Sequence, residues 1–230
     1  MQTSKPNVSY VIPKRGMREV MSAIALSIAI AISIFMVAMR ASAADQGDPM
    51  ALVKSTVNQA VDVLKDHQMP IDARRRKLLQ IVAGHFDFTD MARSSLGSHW
   101  RTLKPEQREQ FVPLYTSFME DVYLNKLEGY SGQKIEYLNQ NSDGPGYSQV
   151  NTRAVNQGGG SPIQINYRLR KEGGDWKVYD VTVEGISITA NYRNQFNRVI
   201  NSEGFDSLMS KMKSKQQELA ASLGNAKAAD

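Results

Sequence analysis

The sequence predicts an α+β fold, a curved four-stranded antiparallel sheet wrapped by about six helices. Three observations carry this. From Pro49 to Gly129 apolar residues recur at helical spacing. From Tyr130 to Glu184 the period drops to two, and Gly-, Asn-, Ser- and Pro-rich turns separate the alternating stretches. After Gly185 the helical period returns. The spacers between strands are short, so the strands run antiparallel in meander order. One face of the sheet is apolar, and only the flanking helices can cover it.

The first 43 residues read as an export leader. Lys14, Arg15 and Arg18 form a basic start, Val20 to Met39 carries no charge, and Ala41-Ser42-Ala43 supplies small residues for a peptidase. A signal peptide cleaved after Ala43 leaves residues 44–230 as one domain. Twenty uncharged residues are also long enough to span a membrane, so a retained N-terminal anchor is the alternative. Both place the body of the chain outside the cytoplasm. An exported chain without cysteine fits a bacterial periplasm.

The mature chain opens with helices. Asp48-Pro49 is a helix start, and Leu52, Val53, Val57, Val61 and Leu64 make an apolar face before Met69-Pro70 breaks it. Asp72 to Gly84 is a second helix, with Arg74, Arg75, Arg76 and Lys77 away from Leu78, Leu79 and Val82. Asp87 caps a short third helix that ends at Gly97. Pro105 opens the longest helix, to about Gly129, with the stripe Phe111, Leu114, Tyr115, Phe118, Val122 and Leu127. Pro113 inside it removes a backbone donor and predicts a kink.

Four alternating segments follow. Lys134 to Gln140 puts Ile135 and Tyr137 on one side, and Tyr147 to Val155 does so for Val150, Thr152 and Ala154. Ile163 to Arg170 aligns Ile163, Ile165, Tyr167 and Leu169, and Trp176 to Glu184 aligns Tyr179, Val181 and Val183. Two closing helices carry Ile188, Tyr192, Phe196 and Val199, then Phe205, Leu208 and Met212. The tail from Gly224 is expected to fray.

Composition excludes several function classes. Hydrophobic residues make up 41% and charged residues 22%, ordinary globular values. Without cysteine there is no thiol nucleophile and no Cys-ligated metal. Residues 1–43 hold five basic residues and one acid, which leaves 23 basic against 22 acidic in the remainder. The basic balance belongs to the leader, and no nucleic-acid partner is expected.

Searches for catalytic chemistry return nothing: no H-E-x-x-H, no G-x-S-x-G and no phosphate-binding glycine loop. Asp180 and Glu184 on an extended strand lie roughly 13 Å apart, too far for a carboxylate pair. They read as a surface pair or a helix cap. His85 and His99 lack metal-ligand spacing. The run Arg74 to Lys77 is either a solvated face or a patch for an acidic partner or anionic headgroups. The aromatic stripe of the long helix is either core or pocket wall.

One resemblance bears on that choice. Phe86-Asp87-Phe88-Thr89-Asp90-Met91-Ala92-Arg93-Ser94-Ser95-Leu96-Gly97-Ser98-His99-Trp100, followed by Pro105 to Phe111, resembles the MlaC family, the toluene-tolerance ABC-transporter auxiliary proteins. So does Trp176-Lys177-Val178-Tyr179-Asp180-Val181-Thr182-Val183-Glu184-Gly185-Ile186-Ser187 with Asn191, Tyr192, Arg193 and Phe196. The order of elements matches over nearly all of the mature chain. Lys104 departs from the family pattern, which has Thr or Ser as helix cap there.

The resemblance implies an NTF2-like cone and a periplasmic phospholipid carrier. Such a carrier shuttles lipid between an outer-membrane MlaA-type lipoprotein complex and an inner-membrane Mla-type ABC transporter complex, and so maintains outer-membrane lipid asymmetry. It implies no catalytic residue, no metal and no cofactor beyond the bound lipid, and a monomer. It also implies that acyl chains lie between sheet and helices.

Physical chemistry sets the demand. Exposing a 16-carbon chain costs about 13 kcal/mol at roughly 0.8 kcal/mol per methylene. The slot must therefore be enclosed and free of charge. The expected walls are Ile135, Val150, Ile165, Tyr167, Val181 and Val183 opposite Phe111, Tyr115, Phe118 and Val122. Pro113, Gly129 and Gly185 are the expected loose points for opening. Two alternatives remain. One is a small isomerase or dehydratase on a similar cone, for which Tyr137, Tyr167 and Tyr179 are the inward-facing polar candidates. The other is a hopanoid-associated, membrane-anchored relative.

Overall fold

The structure, a computed structural model, describes residues 47–127 and 130–227. The expected leader and Gly129 lie outside the described residues.

Helix α1 (Pro49–Lys65) starts as the sequence requires: Asp48 accepts hydrogen bonds from the amides of Met50 (3.2 Å) and Ala51 (3.3 Å), with Pro49 in the first turn. Helix α2 spans Ile71–Ala83. Asp87 caps α3 (Phe88–Leu96) by accepting from the Asp90 amide at 2.8 Å. Gly97 ends α3 at φ +56°, a conformation that suits glycine. A single turn, α4 (His99–Thr102), leads to α5 (Pro105–Leu127).

Lys104 does not leave α5 uncapped. The Gln107 side chain reaches back and accepts from the Lys104 amide at 3.0 Å, the reciprocal half of a capping box. Pro113 faces solvent. Glu109, the residue whose carbonyl it deprives of a partner, is also exposed, so water can satisfy the group.

The sheet contains β1 (Lys134–Ser142), β2 (Tyr147–Val155), β3 (Ile163–Glu172), β4 (Asp175–Val183) and β5 (Ile186–Ser187). All neighbours are antiparallel, in the open order β1-β2-β3-β4-β5. The expectation of four strands is corrected to five. Two residues are too few to show a period, so β5 left no signal. It folds back through Glu184 (φ +49°) and Gly185 (φ +78°), the two positive φ values that a tight hairpin needs. The expectation of about six helices becomes seven among the described residues, the addition being α4.

Two bulges interrupt the ladder. Leu138 is the extra residue of β1, where pairing passes from Tyr137 to Asn139. Tyr179 is the extra residue of β4, because Arg168 pairs with Asp180 and Leu169 with Val178. Each bulge resets which face the following side chains occupy.

Helix α6 (Ile188–Glu203) begins at Ser187, whose Oγ accepts from the Ala190 amide at 3.0 Å. Gly204 (φ +89°) then turns the chain into α7 (Phe205–Lys227). The helix runs past Gly224 to Lys227.

The interior divides into three clusters. The first is helical: Met91, Ala92 and Leu96 of α3 pack with Phe111, Leu114, Tyr115, Phe118 and Met119 of α5, Phe196 of α6 and Leu208, Met209 and Met212 of α7. The second joins Val53 of α1 to Val150, Leu169, Val178 and Val181 of the sheet. The third ties Val63 and Leu64 of α1 to Leu78 of α2 and Leu124 of α5. Phe86 and Ile188 touch both of the first two clusters.

Candidate functional site

The two expected walls fall in different clusters. Phe111 and Tyr115 are fully buried and Phe118 is 7% exposed, all in the helical cluster. Their rings interlock: Phe111 meets Phe196 edge-on at 6.1 Å, and Phe118 meets Tyr192 edge-on at 5.7 Å. Val122 is half-buried beside them.

On the sheet, Val150 and Val181 are buried, and Ile165, Tyr167 and Val183 are half-buried against them. Register explains the grouping: Val150 pairs with Tyr167, Tyr167 with Val181, and Ile165 with Val183. Ile135, opposite Ala154, is half-buried near the end of the sheet. The element packed directly on this row is α1, through Val53, Leu52 and Val57.

A seam of half-buried apolar side chains flanks the two clusters and is joined through Ile188, which packs against both. It takes Ile165, Tyr167 and Val183 from the sheet, Ile188 and Tyr192 from α6, and Val122 and Tyr123 from α5. Burial pushes the hydroxyls of Tyr167, Tyr123 and Tyr192 above the ordinary tyrosine pKa. All three residues are half-buried.

Tyr115 is fully buried in the helical cluster. Its hydroxyl is buried without a hydrogen-bond partner, and burial holds its pKa far above the usual phenol. Ser95, whose hydroxyl donates to the Ala92 carbonyl at 2.8 Å, offsets that only slightly.

The chemistry-bearing residues are committed elsewhere. Asp180, 4% exposed, accepts from Ser187 Oγ at 2.6 Å and from the amide and hydroxyl of Thr189 at 3.1 and 2.8 Å. It caps α6. Glu184 sits in the hairpin after β4 and accepts from the Gln164 amide, so it and Asp180 do not share a strand face. Tyr137 Oη donates to Asn58 Oδ1 at 2.8 Å. Tyr179, expected inward, lies at the bulge against Tyr147 and Arg168. Among the described residues no group of three or more His, Asp or Glu side chains can hold a metal ion. Among them also, no helix is long and apolar enough to cross a membrane.

Sequence reasoning missed Tyr123, Ile188 and Tyr192 as seam residues and α1 as the cover of the sheet. The apolar stripes of α1 and α6 were visible. What each stripe would meet was not, because periodicity identifies a face and says nothing of its partner.

The description "MlaC protein" belongs to the family model that matches residues 54–214. The intermembrane phospholipid transport system binding protein MlaC of Haemophilus influenzae is 30% identical over 120 residues, 51% of this chain and 56% of that protein. The toluene tolerance protein ttg2D of Pseudomonas putida is 32% identical over 107 residues, 46% of this chain and 49% of that protein. The chain thus spans about half the length of the curated relatives it matches. A phospholipid-binding protein from Ralstonia solanacearum, solved in complex with a phospholipid, shares the fold. Its TM-score is 0.67 at 24% identity, over 75% of this chain and 99% of that one. The family match runs from α1 into α7 and takes in every element that builds the seam, and on that ground the chain belongs to the MlaC family.

Proposed function

We propose that this chain is a periplasmic phospholipid carrier whose acyl-chain slot is the seam between sheet and helices. The observation that carries the reading is the set of half-buried apolar residues that flank two well-packed clusters, Ile165, Tyr167 and Val183 on the sheet, Val122, Tyr123 and Tyr192 on the helices, and Ile188 packed against both. Uncharged walls of this kind suit methylene chains, at roughly 25 cal/mol per Å² of apolar surface removed from water. Family membership and a shared fold with a protein solved with phospholipid support the same reading.

In this proposal residues 44–230 form the lipid-binding domain, exported by the leader, with the headgroup in water. Phe111, Tyr115 and Phe118 form the floor, and Ile135, Val150 and Val181 back the sheet wall. The sheet curves over the helices as an NTF2-like cone, and the carrier acts as a monomer without cofactor or catalytic step. It exchanges lipid with an outer-membrane MlaA-type lipoprotein complex and an inner-membrane Mla-type ABC transporter complex, which maintains outer-membrane asymmetry. The test is native mass spectrometry of the exported chain, purified without detergent, followed by lipid extraction. A stoichiometric phospholipid adduct is expected. A clean apo mass, with no uptake from liposomes, overturns the reading.

A further inference from the structure

We infer that the groove where α3, α4, α5 and α6 meet binds an acidic protein segment. The groove has a volume of about 700 Å³, is open to solvent, and carries Arg93, Arg101, Arg108 and Arg193 with Trp100 on its walls. No acidic residue lines it. Beyond the leader the chain is nearly neutral, so four guanidiniums around one groove are a local concentration of charge, not a sample of a basic protein.

Two of the four guanidiniums are held in place by the backbone. Arg108 donates from Nε to the Trp100 carbonyl at 3.0 Å and from Nη2 to the Arg101 carbonyl at 3.2 Å, and lies 5.4 Å from the Trp100 ring centroid. Arg193 donates from Nε to the Ser94 carbonyl at 2.7 Å. Its side chain crosses the end of α3 because Gly97 has no Cβ: a Cβ there would stand 3.2 Å from Arg193 Cδ. Carbonyl partners fix the planes without neutralising the charge, and among the described residues neither terminal nitrogen of Arg193 is taken. Arg93 alone meets a carboxylate, that of Asp90, which Arg170 also contacts.

This arrangement favours carboxylates on a chain segment. Guanidinium forks match carboxylates two bonds at a time. The recess takes a segment that can enter it, whereas a bilayer surface is flat and meets protruding groups. The seam is lined by other residues, so the inference does not rest on the lipid reading.

The test is isothermal titration of the exported chain with a synthetic ten-residue peptide rich in Asp and Glu, at low and at physiological salt. The expected result is saturable one-to-one binding that weakens with salt and falls at least tenfold in R101E/R193E. The control R74E/R76E, on α2, should lose no more than about twofold. Arg101→Glu alone, at an exposed position, serves should the double variant misfold, with circular dichroism to check both. Equal losses in groove and control variants overturn the inference. So does groove-dependent binding to vesicles containing phosphatidylglycerol with none to the peptide, which would assign the groove to lipid headgroups.

Discussion

Asp180 of β4 holds Thr189 of α6 by both its backbone amide and its hydroxyl, at 3.1 and 2.8 Å, in a site where both residues are only 4% exposed. One carboxylate thus caps a helix and fixes it to the sheet beside the seam. Asp180→Ala strands three donors, two of them on Thr189. The expected loss is about 2–4 kcal/mol, or a fall of roughly 5–12 °C in Tm for a domain of this size. Asp180→Asn keeps one acceptor and should lose less. Thermal melts of the two variants check the order.

Arg170 of β3 makes a second link. Its Nη2 lies 2.6 Å from Asp87, the cap of α3, and its Nη1 lies 3.4 Å from Asp90. These carboxylates are 11% and 9% exposed, so removing their partner leaves charge in a poorly solvated place. Arg170→Met should cost about 2–4 kcal/mol. Arg170→Lys should recover only part, because one ammonium cannot span two carboxylates as a fork does. Urea midpoints decide it, and a loss below about 0.5 kcal/mol would mean the bridge is effectively solvated.

Most element bounds were legible because caps and breakers announced them: Asp48-Pro49, Asp87, Gly97 and Pro105 each act as the sequence suggests. Side-chain facing was legible only while the ladder stayed regular. On β2 the alternation held, with Ser148, Val150, Thr152 and Ala154 all buried. On β4 it failed at Tyr179, since a bulge adds one residue and moves Val178 into the core in place of Tyr179. A single sequence carries no count of its partner strand, so the bulge leaves no mark in it. The arginine groove was illegible for a related reason: Arg193 lies some hundred positions from Arg93 along the chain, and only the packing of α6 on α3 brings them together.

His85 supplies a pH dependence. Its pKa is lowered, first by burial and then by the nearby Lys177 charge. A base whose folded pKa lies below its unfolded value of 6.5 binds fewer protons when folded. Stability is therefore full above pH 6.5 and is lost as pH falls below it toward the folded pKa. Urea midpoints between pH 7.5 and 5.5, above the carboxylate range, should show this decline. In His85→Gln the slope over that interval should shrink. An unchanged slope would assign the decline to other groups.

Pro113 lies in the middle of α5 on its solvent side. Restoring the backbone donor with Pro113→Ala should stabilise the helix by about 1–3 kcal/mol. If the helix must loosen for lipid to leave, the same change should slow exchange between the carrier and liposomes. A raised Tm with an unchanged exchange rate would leave Pro113 a structural feature with no part in opening.

Filling the seam should separate pocket from core. Val183 is half-buried opposite Ile165, and a tryptophan there projects into the proposed slot. If the seam holds acyl chains, Val183→Trp should cut the lipid retained per chain at least severalfold while Tm changes by less than about 3 °C. If the seam is solid core, overpacking should cost about 1–3 kcal/mol, and Tm falls instead. Phe111→Ala is the counterpart, because Phe111 is fully buried among Tyr115, Phe196 and Phe205. Its loss should cost about 3–5 kcal/mol whether or not lipid is bound. Native mass spectra and melts of both variants, taken on the same preparations, distinguish a wall that faces ligand from one that faces protein.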